Sequence, residues 1–192
     1  MKRGDLLMDS DLNKECKPEE DKRHSVQKEI KEWARSIILA VILAVIIRLF
    51  FLEVFLVEGT SMVPTLQHHE RLIVNKVTYY LSEPEKGDII VFNFSPRRDF
   101  IKRVVALEGD VVELIDGRLF INNERINEPF IENHSITDFG PVVVPKGHAF
   151  VLGDNRSNSM DSRDSAVGCV SLEKVKGKAF LVFWPPFNAR LL

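Results

Sequence analysis

The chain predicts a mainly β domain, residues 53–192, behind a single N-terminal membrane-spanning helix. Two contrasting textures carry that expectation. Residues 34–52, ARSIILAVILAVIIRLFFL, are apolar apart from Arg35, Ser36 and Arg48. As a helix this stretch reaches ~28 Å at ~1.5 Å per residue, about the thickness of a bilayer core. Beyond it, apolar residues come in short β-branched and aromatic runs bounded by Gly, Pro, Asn and Asp, the pattern of strands and turns.

Residues 1–33 mix Lys, Glu and Asp with few apolar residues other than Leu6-Leu7-Met8 and lack a sustained amphipathic stripe, which reads as a mobile tail. Val26 to Trp33 can extend the helix by a turn or two, with Trp33 at headgroup level. In the span, Arg48 lies near one end, where a long side chain snorkels to the interface. The densely charged segment before the span, with no small-residue cleavage site after it, favours an uncleaved anchor over a removed signal or a buried core helix. Lys22, Arg23, Lys28, Lys31 and Arg35 precede the span, whereas after Arg48 no basic residue appears until Arg71. The N-terminus is therefore expected in the cytoplasm and residues 53–192 outside. Cys16 and Cys169 then lie on opposite sides and cannot pair.

In the outer part, expected strands are Arg71 to Val77, Asp88 to Phe94, Phe100 to Leu107, Val111 to Ile115, Leu119 to Ile121, Ala149 to Leu152 and Ala179 to Phe183. Asp116-Gly117, set between two of these runs, favours a two-residue hairpin turn. With 192 residues, a net charge of -2 and a pI of 6.2, the chain suits one domain with appendages and lacks the basic footprint of a nucleic-acid binder.

Three segments carry chemistry. Ser61-Met62-Val63-Pro64-Thr65-Leu66 puts a hydroxyl in a Pro-restrained loop soon after the span. A serine hydroxyl is a poor nucleophile at neutral pH and needs a neighbouring base. Phe100-Ile101-Lys102-Arg103-Val104-Val105 offers one: strand alternation sets Lys102 on the face of Phe100 and Val104, with Arg103 on the other. Among apolar neighbours the ammonium is disfavoured, and a neutral amine acts as a general base. Taken alone, Lys102 reads equally as a lysine on a solvated face. The third segment, Gly153-Asp154-Asn155-Arg156-Ser157-Asn158-Ser159-Met160-Asp161-Ser162-Arg163, is a structured polar loop in which Asp154 and Asp161 can pair with Arg103, Arg156 or Arg163. A hydroxyl there can orient the lysine amine.

Together these segments resemble those of type I signal peptidases, membrane-anchored Ser-Lys proteases of bacteria that remove signal peptides. The resemblance runs from the anchor to the end of the chain, with RLIVNK (Arg71 to Lys76) and the closing Gly177 to Pro185 stretch included. It implies a signal-peptidase-like β-barrel or β-sheet catalytic domain, Ser61 as nucleophile, Lys102 as general base and Ser159 as the hydroxyl that positions the amine. It further implies Asp154, Asp161 and Arg163 as structural supports, and Met62, Leu66, Phe100 and Ile101 as the lining of pockets for small residues, as an A-x-A-like preference requires. The Ser61 backbone N–H is the expected oxyanion donor. Some members add a serine hydroxyl two residues before the nucleophile; here Gly59 stands there, as in the Gram-positive and cyanobacterial style, leaving Thr60 or a water as second donor.

Secretory pre-proteins, the lipid bilayer and the export translocon are the expected partners, at the bacterial cytoplasmic membrane, with no cofactor. His68-His69, His134 and His148 stand in or near turns without metal-ligand spacing, so no metal site is expected. Two other readings exist. A self-cleaving repressor-like protease shares the Ser-Lys pairing but requires a DNA-binding domain and a cleavable linker. A tethered β module that binds exported polypeptides without cutting them requires no chemistry.

Overall fold

The computed structural model describes residues 20–131 and 137–192. The chain divides into two units, Met1–Val45 and Ile46–Leu192.

Helix α1 runs from Glu20 to Phe50. It therefore starts well before Val26, and residues 20–33 of the expected tail are helical. Phe51 leaves the helix and Leu52 opens a strand, so the last two residues of the expected span lie outside it. Large apolar side chains from Ile37 to Ile47 are exposed along α1. Their uninterrupted run, 37–47, covers only ~16 Å of helix, against ~30 Å of bilayer hydrocarbon. Among the described residues, no helix is long and apolar enough to cross a membrane. Residues 1–19, including Cys16, and residues 132–136, including His134, lie outside the described residues.

The second unit is built of strands. Their ranges are β1 (Leu52–Leu56), β2 (Arg71–Asn75), β3 (Ile89–Ser95), β4 (Arg98–Leu107), β5 (Val111–Ile115), β6 (Arg118–Ile121), β7 (Glu124–Arg125), β8 (Phe139–Val143), β9 (His148–Leu152), β10 (Val170–Ser171), β11 (Val175–Trp184) and β12 (Arg190–Leu191). A short helix, α2 (Thr78–Leu81), follows β2. The larger sheet has the order β1-β2-β11-β3-β4-β9-β10, with β12 also on β11; the smaller has the order β7-β6-β5-β8. This mainly β architecture is the one expected, and each of the seven expected strands is present.

The Asp116-Gly117 turn forms as its sequence dictates. Both residues have positive φ, 47° and 73°, the combination a type I′ hairpin needs, and Ile115 pairs with Arg118 across it. β1, β7, β8, β10 and β12 escaped the sequence reading. β1 begins on the last residue of the apolar span, β8 carries Gly140-Pro141 at its centre, which reads as a breaker, and the other three are two residues long.

Three apolar clusters fill the domain. Val57, Met62, Leu66, Leu72, Val74, Val91 and Val182 pack together under β1, β2 and β11. Val105, Val112, Leu114, Leu119, Phe150 and Leu152 bring the smaller sheet onto β4 and β9. Ile90, Phe92, Val104, Ala149 and Val151 fill the other face of β3, β4 and β9. The result is a rigid central pair, β3 and β4, from whose buried register Lys102 emerges.

Candidate active site

The loop carrying Ser61 is closed at its neck by backbone bonds. Val57 N donates to Glu70 O at 2.8 Å and His69 N to Val57 O at 2.9 Å. Inside the loop Leu66 N donates to Met62 O at 2.8 Å. Both side chains plunge into the core, at 2% and 0% exposure. The apolar residues flanking Ser61 thus act as anchors, and burying two such side chains is worth roughly 3–6 kcal/mol. Leu66 is a correction to the sequence reading: it lines no substrate cleft, because the single helical turn that follows Ser61 rotates it inward.

Lys102 sits opposite Ile90 in the β3–β4 register and is 3% exposed, with Nζ 5.1 Å from the Phe100 ring centre. Nζ donates to Ser61 Oγ at 2.8 Å and to the Ile101 carbonyl at 2.9 Å. Burial pushes the amine down from the ordinary lysine value to about 8. The Asp161 and Asp154 carboxylates pull it up, and Arg98 adds to the depression. Desolvation of the charged form outweighs the two carboxylates. Around pH 7 about a tenth of the amine, against almost none of an ordinary lysine, is therefore free to accept a proton from the hydroxyl it touches, and about half is at pH 8.

The polar loop clasps the Ser61 loop from the far side. Asn155 N donates to Ser61 O at 3.0 Å, Asn155 Nδ2 to Thr60 O at 3.2 Å and Asn158 Nδ2 to Thr60 Oγ1 at 3.0 Å. The two chains approach so closely that a Cβ on Gly153 would stand 2.5 Å from Ser61 O and 2.1 Å from Ser159 Oγ, so only glycine fits. Asp154, fully buried, takes Arg103 Nε at 2.9 Å and Arg103 Nη2 at 2.7 Å, and accepts from Thr65 Oγ1. It ties the base-bearing strand to the loop of the hydroxyl. Asp161 accepts from Gly153 N at 3.0 Å and from Arg163 Nε and Nη2, both at 2.8 Å. The loop's Asp-Arg pairs are thus Asp154 with Arg103 and Asp161 with Arg163, while buried Arg156 pairs with Glu128, a partner outside all three motifs.

Ser159 lies beside Gly153, but its Oγ does not bond to Lys102; the amine's second bond goes to the Ile101 carbonyl instead. Among the described residues Ser159 Oγ is the buried side-chain polar atom left without a hydrogen-bond partner. The Gly59 amide is taken by His68 Nδ1 at 3.0 Å, which removes that N–H as an oxyanion donor.

A cleft of about 590 Å³ opens in front of Ser61 and Lys102, lined by Met62, Phe100 and Ile101 as expected and also by Phe55, Leu56, Val57, Asn158 and Met160. Sequence reasoning missed β1's contribution. The β-branched and aromatic run Val54-Phe55-Leu56-Val57, set between Glu53 and Glu58-Gly59, was the available signal. Among the described residues no His, Cys, Asp and Glu group is arranged to hold a metal ion.

Comparison with known proteins identifies the family. Residues 30–184 match the profile of the family described as Signal peptidase, peptidase S26. Signal peptidase I T of Bacillus subtilis (strain 168) is 41% identical over 187 residues, covering 88% of this chain and 96% of that protein. A signal peptidase I of Bacillus amyloliquefaciens is 42% identical over 193 residues, covering 93% and 98%. A solved signal peptidase I from Enterococcus faecalis V583 is 33% identical, with a TM-score of 0.44, covering 50% of this chain and 97% of that one. A match of this breadth displaces both the repressor-like and the non-catalytic readings. The chain is an enzyme that belongs to the type I signal peptidases, the S26 family of peptidases.

Proposed function

We propose that this protein is a membrane-anchored serine endopeptidase that removes N-terminal signal peptides from exported pre-proteins, cutting after small residues. The observation that carries the reading is the 2.8 Å contact between Ser61 Oγ and a buried, pKa-depressed Lys102 amine. In its neutral form Lys102 accepts the Ser61 proton as Oγ attacks the scissile carbonyl. The tetrahedral oxyanion takes the Ser61 N–H. The ammonium then protonates the leaving amine as the C–N bond breaks, leaving an acyl-serine. Neutral Lys102 next takes a proton from water as the hydroxide attacks the acyl carbon; the ester C–O bond breaks, the signal peptide leaves with a carboxyl end, and the Lys102 ammonium returns its proton to Ser61 Oγ.

Ser159 is assigned the part of orienting the amine, supported by a buried hydroxyl otherwise left unsatisfied, a state that costs roughly 1–3 kcal/mol. Thr60 supplies the second oxyanion donor: its Oγ1 already accepts from Asn158, which leaves its hydrogen free to donate. Thr60→Val, which keeps the shape and deletes the hydroxyl, is then expected to lower kcat by about 10²-fold while leaving KM nearly unchanged. A variant within twofold of wild type assigns that donor to water instead.

The exposed apolar side chains of α1 support seating in the bilayer, with Arg35 and Arg48 snorkelling to its two faces, the N-terminus cytoplasmic and the strands outside. Sharing the membrane with its substrate raises the effective concentration of the scissile bond, so a shallow cleft suffices. The lipid bilayer and the export translocon are the proposed partners besides the pre-proteins.

The test is cleavage of a model precursor by the full chain in lipid vesicles, with the cut identified by mass. Wild type yields one cut after a small-x-small sequence, and Ser61→Ala yields none. Cleavage by Ser61→Ala, or release of the chain from vesicles by alkaline washing, contradicts the hydrolytic or the anchoring part respectively.

A further inference from the structure

We propose that His68 is a positioning residue of this site: its unprotonated Nδ1 tethers Gly59 and so holds the loop that presents Ser61. The inference rests on the reading of Ser61 as nucleophile. Backbone pairing across the loop's neck stops at Val57, bonded to Glu70 and His69, and the next tie is the bond from Gly59 N to the His68 ring. Gly59 needs such a tie. Its φ of +98° is a conformation that side-chain-bearing residues rarely adopt, and a glycine two residues before the nucleophile is the natural hinge of the loop. Beyond that hinge Thr60 and Ser61 are clasped by Asn155 and Asn158, so His68 secures the one flank that the polar loop does not reach.

The ring is itself oriented. The His69 ring lies against it in a tilted contact, with centroids 3.7 Å apart at 34°. The titratable and charged groups around it are His69, Glu58 next to Gly59, and Glu70, whose carboxylate is committed to Arg190 and to Gln67 N. An imidazole nitrogen accepts a hydrogen bond only while it carries a lone pair. Removing the acceptor frees the hinge, whereas a different side chain with an acceptor in the same place keeps it.

The experiment compares wild type, His68→Asn and His68→Ala in kcat and KM on a model precursor at about pH 9, above the Lys102 midpoint. Asn Oδ1 accepts a hydrogen bond as the ring nitrogen does. His68→Ala is expected to lose about tenfold in kcat with little change in KM, and His68→Asn to recover most of it. A fully active His68→Ala, or a His68→Asn no faster than His68→Ala, overturns the proposal. If His68→Ala fails to fold, His68→Asn decides alone: kcat within about threefold of wild type supports the tether, and a loss of about tenfold or more overturns it. A wild type that cleaves no faster than Ser61→Ala brings down the nucleophile reading itself, and this inference with it.

Discussion

Lys102→Arg is expected to be as inactive as Lys102→Met, each at least about 10³-fold below wild type in kcat, because a guanidinium does not give up its proton in a protein and cannot receive one from Ser61. Wild-type kcat should rise about tenfold per pH unit up to a midpoint near 8 and level off above it, following the neutral fraction of the buried amine. A profile flat through that midpoint, or substantial turnover by the arginine variant, excludes Lys102 as general base. The same burial has a thermodynamic signature. Lys102 falls from 10.5 to about 8 on folding, so below 8 the native state carries the full penalty of a buried ammonium. Between 8 and 10.5 the unfolded chain binds more protons than the folded one, and the penalty is relieved as pH rises. The penalty amounts to about 3 kcal/mol. Lys102→Met should therefore gain on wild type in denaturant unfolding at neutral pH, and that gain should shrink above pH 8. Activity and stability ask opposite things of this residue.

Asp154→Asn is expected to lower stability by about 3–5 kcal/mol and the melting temperature by about 10 °C, since it strips the counter-charge from a largely buried Arg103. The carboxylate is fully buried, receives two bonds from Arg103 and one from Thr65, and thereby links β4, the Ser61 loop and the polar loop. Thermal unfolding measures the loss. A second readout separates this linkage from ordinary packing: Asp154 raises the Lys102 pKa, so its neutralisation should move the midpoint of the pH-rate profile to lower pH. A variant with unchanged melting temperature and midpoint would remove Asp154 from both roles.

Much of this was legible before any coordinates. Period-two alternation in Phe100 to Val105 pointed Lys102 toward apolar neighbours and Arg103 the other way, and the fold follows that alternation: Lys102 is buried over Phe100 while Arg103 reaches Asp154. Turn chemistry alone identified the Asp116-Gly117 hairpin, since few residue pairs tolerate two consecutive positive φ values. The pocket role that the resemblance implied for Leu66 does not hold in this fold, because a residue's place in a loop carries no information on which way its side chain points. Its direction depends on a single turn, closed by the Met62–Leu66 bond, that only the packed core stabilises.

By itself, the sequence determined the β class of the outer domain and most of its strands, because propensity, alternation and turn chemistry act over a few neighbouring residues; the hydroxyl, the amine and the polar loop it offered as candidates. Tertiary structure alone decided that Ser61 and Lys102, 41 positions apart, stand 2.8 Å from each other. It also decided that Arg156 finds Glu128 and that His68 closes on Gly59. Those contacts join segments whose separation along the chain says nothing of their distance in space. They form only when the buried register of β3 and β4, and the glycine-thin crossing at Gly153, press the loops together.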